Sequence, residues 1–179
     1  MTNTTAKKWA VDTAHSSVDF SVKHMMISKV KGTFHEFGAE VTADPQDLTG
    51  ADVSFSIKVN SIDTRSQDRD NHLRSADFFE VETYPEITFR STDVKKIGED
   101  EYEMTGDVTI KDVTRQETFK VEYEGSGQDP WGNQKVGFTA DGKINRKNYG
   151  LTWNQTLETG GVLVGEDIKI NLQIQAQEA

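Results

Sequence analysis

YEMTGDVTI, residues 102–110, sets Tyr102, Met104, Gly106, Val108 and Ile110 on one face of an extended chain and Glu103, Thr105, Asp107 and Thr109 on the other. Successive side chains of a β-strand point to opposite faces, so this period of two predicts a strand with one buried face. The rhythm recurs outward in both directions. Toward the N-terminus, Val53, Phe55 and Ile57 alternate with Ser54, Ser56 and Lys58, and Val18, Phe20, Val22 and His24 alternate with Asp19, Ser21 and Lys23. Toward the C-terminus the inward sets are Phe119, Val121 and Tyr123; Val136, Phe138, Ala140 and Ile144; and Ile168, Ile170, Leu172 and Ile174.

Turn chemistry separates these runs: Ala43-Asp44-Pro45-Gln46-Asp47 with Gly50, Gly98-Glu99-Asp100, Gly125-Ser126-Gly127, and the stretch from Gln128 to Asn133. Short connections favour antiparallel neighbours, so the chain reads as all-β. A sheet with one apolar face must bury it, either against a second sheet or by closing on itself, and roughly eight strands close around one ligand. Alternation alone leaves sandwich and barrel both open. With no repeat, linker or low-complexity segment, the 179 residues read as a single domain, 1–179.

Composition excludes several classes of function. Thirty acidic against twenty basic side chains give a formal charge of −10, which repels a polyphosphate backbone and argues against nucleic acid as a partner. The absence of cysteine removes disulfides, thiolate nucleophiles and thiolate metal ligands. No aliphatic run approaches membrane-spanning length; Met25-Met26-Ile27 is among the longest. Stable membrane insertion is therefore not expected. The opening residues MTNTTAKKWAVD lack an apolar leader segment, which predicts a cytoplasmic protein.

One segment breaks the pattern. Between Thr64 and Ala76 the only large apolar side chain is Leu73, and the stretch ends in Phe78-Phe79. Thr64-Arg65-Ser66-Gln67 matches a Thr-x-x-Gln capping box, Asp68 and Asp70 precede Arg74 in the order the helix dipole favours, and Asp70 and Arg74 are spaced i to i+4. A short helical connector near 65–75 is expected, held by Leu73 and the two phenylalanines.

Three blocks together resemble a known family. They are Trp9 to Met25 with Val30-Lys31-Gly32-Thr33-Phe34; Ile62-Asp63-Thr64 through Asn71-His72-Leu73-Arg74 and Asp77-Phe78-Phe79 to Phe89; and Gly106 to Thr114 with Ile144-Asn145-Arg146-Lys147-Asn148-Tyr149-Gly150-Leu151-Thr152-Trp153. The chain is similar to the YceI-like polyisoprenoid-binding proteins over nearly its whole length. The resemblance implies a single antiparallel lipocalin-like β-barrel of about eight strands, with an elongated apolar interior for an isoprenoid or similar lipid. Many members of that family carry a secretory leader, from which this sequence departs.

On that reading Phe20, Val22, Phe55, Ile57 and Phe89 are expected to line the interior, together with Val108, Phe138 and Trp153, and with Phe78 and Phe79 where the connector re-enters the apolar side. The bland alternative is that each simply packs as core. A polar or anionic head needs donors at the barrel mouth, and His24, Arg65, His72, Arg74 and Arg146 are the candidates, with Arg69 beside them. The arginines have competing local partners in Asp63, Asp68, Asp70 and Asp77. The four histidines, His15, His24, His35 and His72, match no compact metal-binding spacing, so no metal site is expected.

No Gly-x-Ser-x-Gly elbow, His-Glu-x-x-His helix or phosphate-cradling glycine loop occurs, so no catalytic residue is assigned. The function expected is non-enzymatic binding, storage or transport of a long apolar lipid: an isoprenoid quinone, a polyprenyl phosphate or a fatty-acid derivative. No cofactor is required; a bound isoprenoid or other lipid is the guest. Two other classes stand beside it: a hydrolase or isomerase acting on such a lipid with His24 or His72 as base, and a ligand-free, stress-related protein-binding module. An open barrel edge or the exposed aromatic Trp131 offers a route to a homodimer.

Overall fold

The alternating runs become eleven strands in the computed structural model, which describes residues 6–25, 27–154 and 163–179. They are β1 (Lys7–Val11), β2 (Ser17–His24), β3 (Ser28–Phe34), β4 (Phe37–Asp44), β5 (Asp47–Lys58), β6 (Ile62–Asp63), β7 (Glu86–Gly98), β8 (Glu101–Ile110), β9 (Val113–Gln128), β10 (Gln134–Asn145) and β11 (Val164–Glu178). One short helix, α1 (Gln67–Arg74), lies between β6 and β7.

The first strand decides between sandwich and barrel. β1 pairs antiparallel with β4 on one side, Trp9 opposite Val41, and with β11 on the other, Trp9 opposite Glu178. The ring β1-β4-β5-β7-β8-β9-β10-β11 is therefore a closed antiparallel barrel of eight strands, with no free edge around it. Three strands prolong the wall at one end. β2 follows β1 along β11 after a turn at Thr13–His15, β3 leads into β4, and β6 continues β5 after a turn at Val59–Ser61.

The two ends differ. At one, Trp9, Leu48, Tyr102, Val136 and Ala176 pack as a buried floor, and the Trp9 indole N–H donates to the Ala43 carbonyl at 3.0 Å. That bond contributes about 1 kcal/mol net and leaves no indole N–H stranded in the apolar floor. At the other end β6 runs out after two residues, and α1 with the chain from 75 to 85 covers the gap before β7. Phe78 is buried beneath this connector.

Several sequence expectations are corrected. Gly125-Ser126-Gly127 is no turn; it lies within β9 opposite β10, where the register shifts beside Gly137 and Gly125 takes φ 126°, a bulge that a glycine accommodates. The helix is capped by Ser66, which accepts from the Arg69 backbone N–H at 3.4 Å, and not by Thr64. Thr64 instead is buried two residues before that cap and donates through both its N–H and its hydroxyl to the Asp70 carboxylate, at 2.9 and 2.5 Å. Asp70 is thus occupied and forms no i to i+4 pair with Arg74. No helix among the described residues is long and apolar enough to cross a membrane.

Candidate functional site

Inward-pointing side chains do not fill the barrel. Above the floor lies a space of about 190 Å³ whose walls, among the described residues, are aliphatic or aromatic at every position except Thr88. Between it and the connector end lies a second space of about 460 Å³. Val18, Ile57, Ile87, Val108, Ile144 and Ile170 line both, so the two chambers abut at an aliphatic waist. The mouth space alone is within the volume range of pockets that take small organic ligands, and the smaller deep space extends it lengthwise, which suits a long narrow guest better than a compact one.

Three glycines set the shape of these walls. Phe20 lies against Gly32 on the neighbouring strand, Phe89 against Gly106 and Phe119 against Gly142, and a Cβ on any of the three would stand 2.2 to 2.5 Å from the facing ring. Each ring is thereby laid on the wall in place of projecting across the lumen. Phe89 and Phe119 meet edge to face at 5.6 Å beyond the waist, and Phe37 stacks on Phe55 at 5.8 Å.

The mouth chamber is where polar groups enter. Its wall includes Asp19, Lys23, His24, Thr64, Asp68 and Arg69. His72, Arg146 and Trp153 complete it. The His72 ring is edge-on to Phe78 at 5.1 Å and to Trp153 at 4.6 Å, and its Nε2 lies 2.9 Å from the Asp77 carboxylate. α1 delivers His72 to this place because Leu73 and Phe79 pack into the core below it.

Arg146 is 3 % exposed, and no carboxylate among the described residues forms an ion pair with it. Its guanidinium donates to the carbonyls of Leu151 (2.5 Å), Gly165 (2.8 Å), Trp153 (2.9 Å) and Val164 (3.3 Å). Burial holds its pKa below the usual arginine value, and the nearby Glu166 charge opposes that shift. The fork geometry gathers the two chain segments that frame the mouth. Next to it Tyr149 is fully buried and its hydroxyl donates to the Glu117 carboxylate; burial first, and that carboxylate second, push the phenol well above its usual value.

The ten apolar residues singled out in the sequence all face these chambers: Phe55, Phe89 and Phe138 the deep one, Ile57 and Val108 both, and Phe20, Val22, Phe78, Phe79 and Trp153 the mouth. Among the polar candidates, His24, His72 and Arg146 line the mouth, and Arg65 and Arg74 do not. Arg65 is exposed on the outer surface at φ 64°. Arg74 donates to the carbonyls of Asn60 (3.2 Å) and Ile62 (3.1 Å) and to the Asn71 side chain (3.2 Å), tying α1 to the chain around β6. Local acids do not claim these arginines: Asp63 meets His35 and Asp77 meets His72, while Arg69 donates to the hydroxyl and carbonyl of Thr64. Thr64 and Asp68 also line the mouth; the sequence marked them only as parts of the connector's helix start and, for Asp68, as an arginine's partner, not as site residues. Among the described residues no cluster of His, Asp and Glu is arranged to hold a metal ion.

Comparison with known proteins places this geometry. A family model described as the YceI-like domain matches residues 9–176. A UPF0312 protein of Staphylococcus epidermidis is 44 % identical over 163 residues, covering 90 % of this chain and 92 % of that one. One from Staphylococcus aureus is 45 % identical over 159 residues, covering 88 % and 90 %. Among solved structures, BcnA of Burkholderia cenocepacia superposes with a TM-score of 0.81 at 25 % identity, over 92 % of this chain and 98 % of BcnA. The YceI protein of Campylobacter jejuni gives 0.75 at 33 % identity, over 88 % and 90 %. A domain from Saccharophagus degradans, described as polyisoprenoid-binding, shares the fold with a TM-score of 0.68 at 13 % identity, over 96 % and 98 %.

Proposed function

The chain belongs to the YceI-like family, and from that premise we propose that it binds one long apolar lipid inside the barrel, to store or carry it, without chemical change. The observation that carries this reading is the pair of abutting chambers: a deep space walled almost wholly by hydrocarbon, opening through an aliphatic waist into a mouth where the polar groups collect. Such an interior has nothing to offer a polar solute. It offers an isoprenoid or acyl tail the removal of its whole length from water, worth roughly 25 cal/mol per Å² before the losses of association are subtracted.

A tail lying in the deep chamber leaves its head among His24, Arg69, His72 and Arg146. Those groups suit a quinone, a phosphate or a carboxylate, each of which accepts hydrogen bonds. That a domain described as polyisoprenoid-binding shares the fold favours the isoprenoid members of this set.

The test is uptake by delipidated protein. Fluorescently labelled polyprenol, polyprenyl phosphate and fatty acid are titrated separately, and the reading predicts saturation at one lipid per chain for at least one of them, with competition by the unlabelled lipid. Failure of all three to saturate, with the fold intact, overturns it.

A further inference from the structure

The mouth of the barrel also carries an outward-facing feature that lipid binding does not require. β2 and β3 meet in a tight turn in which the Ile27 N–H reaches the His24 carbonyl at 3.2 Å and the Met25 N–H reaches Leu163 at 2.8 Å. Ile27 is 84 % exposed and Met25 42 % exposed, the latter at φ 54°, where glycine or asparagine is the usual choice. His24, Leu163 and Val164 beside this turn are part of the mouth wall.

Below the turn the first two rows of the outer wall are cationic, in a protein whose net charge is −10, and the row after them carries Asp19 on β2 and Asp141 on β10. Lys23 stands directly opposite Lys29 across β2 and β3. One row further from the tip, Lys31 faces Ser21, Ser21 faces Lys169 on β11, and Lys169 faces Lys143 on β10. Among the described residues Lys143 pairs with Asp167, and no carboxylate pairs with Lys23, Lys29, Lys31 or Lys169. Like charges set directly opposite destabilise a sheet, so the fold gains nothing from this arrangement.

The floor end also exposes two large apolar residues, Ile97 and Trp131. Its turns, however, carry Asp44, Asp47, Glu99, Asp100 and Asp129. Lysines stand at the floor too, but there Lys95 lies opposite Glu103 and Lys135 pairs with Asp129, whereas behind the β2–β3 tip lysine lies opposite lysine. On the far side of the mouth the connector bears Glu80 and Glu82, so the cationic surface is one flank of the mouth and not its whole rim.

We propose that this flank docks the barrel on an anionic lipid bilayer, with Met25 and Ile27 entering the headgroup region and the lysine rows lying over the lipid phosphates. Exposed apolar side chains flanked by lysines are what peripheral membrane attachment combines, and neither alone suffices. The acids across the mouth keep the barrel tilted, with the β2–β3 side down. The proposal concerns the outer surface and stands whether or not the cavity holds a lipid.

The test is co-sedimentation of the protein with vesicles of phosphatidylcholine alone and of phosphatidylcholine containing phosphatidylglycerol. Partition onto the anionic vesicles is expected to exceed that onto the neutral ones by about tenfold or more and to fall with added salt. Lys29→Glu with Lys31→Glu should remove that preference, Ile27→Ser should weaken binding to anionic vesicles, and Trp131→Ser at the opposite end should leave it unchanged. All four side chains are exposed, and equal melting temperatures check that the fold is kept. Equal binding to both vesicle types, binding to neither, or loss of binding through Trp131→Ser overturns the proposal. Labelled-lipid uptake from vesicle-free solution, measured on the same variants, reports separately on the cavity.

Discussion

The Phe119 ring lies against Gly142, so close that a Cβ on the glycine would stand 2.2 Å from the ring. The glycine is thus part of the cavity wall: its missing side chain is the space in which the phenylalanine rests, and the lumen stays open because of it.

Gly142→Ala should therefore close the deep chamber from outside. No left-handed backbone angle is involved at this position, so the methyl group is the whole perturbation, and Phe119 must turn inward. A loss of about 1–3 kcal/mol in chemical denaturation is expected, with weaker uptake of long-tailed lipids than of short ones. Adding Phe119→Leu should restore both. Unchanged uptake in the single variant would show that the ring does not bound the lumen.

Arg146 is expected to be needed for the mouth itself. Arg146→Ala removes donors from the carbonyls of Leu151, Trp153, Val164 and Gly165, and should lower stability by about 3 kcal/mol in urea denaturation. Arg146→Lys should recover little, because a single ammonium cannot span four acceptors arranged for a guanidinium fork. Full recovery by lysine would mean that only the charge matters.

Much of the wall was legible in sequence, and the reason is local. Whether Phe55 or Val108 points inward depends only on strand period, which neighbouring residues reveal. Closure was not legible in the alternation and came only through the family resemblance, which the structure bears out, because the pairing of β1 with both β4 and β11 joins residues such as Trp9 and Glu178 from opposite ends of the chain. The glycine–phenylalanine pairs depend likewise on register between strands. Arg74 shows the limit for site residues: its charge near the mouth was visible, whereas its use as a staple to the Asn60 and Ile62 carbonyls depends on how α1 is set against the chain before it. The same placement sent Asp70 to Thr64 in place of Arg74.

Tyr149 should give the protein an alkaline limit. Its phenol is held above the ordinary value of 10.0, so folding favours the protonated form. That stabilisation is complete below pH 10, the unfolded value, and is lost as pH rises toward the folded value, by up to about 1.4 kcal/mol per pH unit. The difference in unfolding free energy between wild type and Tyr149→Phe should accordingly be constant from pH 7 to about 9.5 and shift in favour of the variant above it. A difference that stays constant through pH 11 would contradict the assignment.

Trp153 offers an optical readout of the mouth. Of the three tryptophans, Trp9 is buried in the floor, Trp131 is 83 % exposed, and Trp153 lines the mouth chamber. In a Trp131→Phe protein, loading with a quinone-headed lipid should quench part of the emission, and an added Trp153→Phe should remove most of that quenching. Quenching that persists without Trp153 would place the head elsewhere.

The central claim is that the barrel interior is occupied by a single long apolar lipid, and native mass spectrometry of protein purified from its own host tests it most directly. The account predicts a reproducible mass increment of one lipid per chain, released on denaturation and absent once the protein has been delipidated. Clean unliganded protein that then also fails to take up polyprenol, polyprenyl phosphate or fatty acid would contradict it.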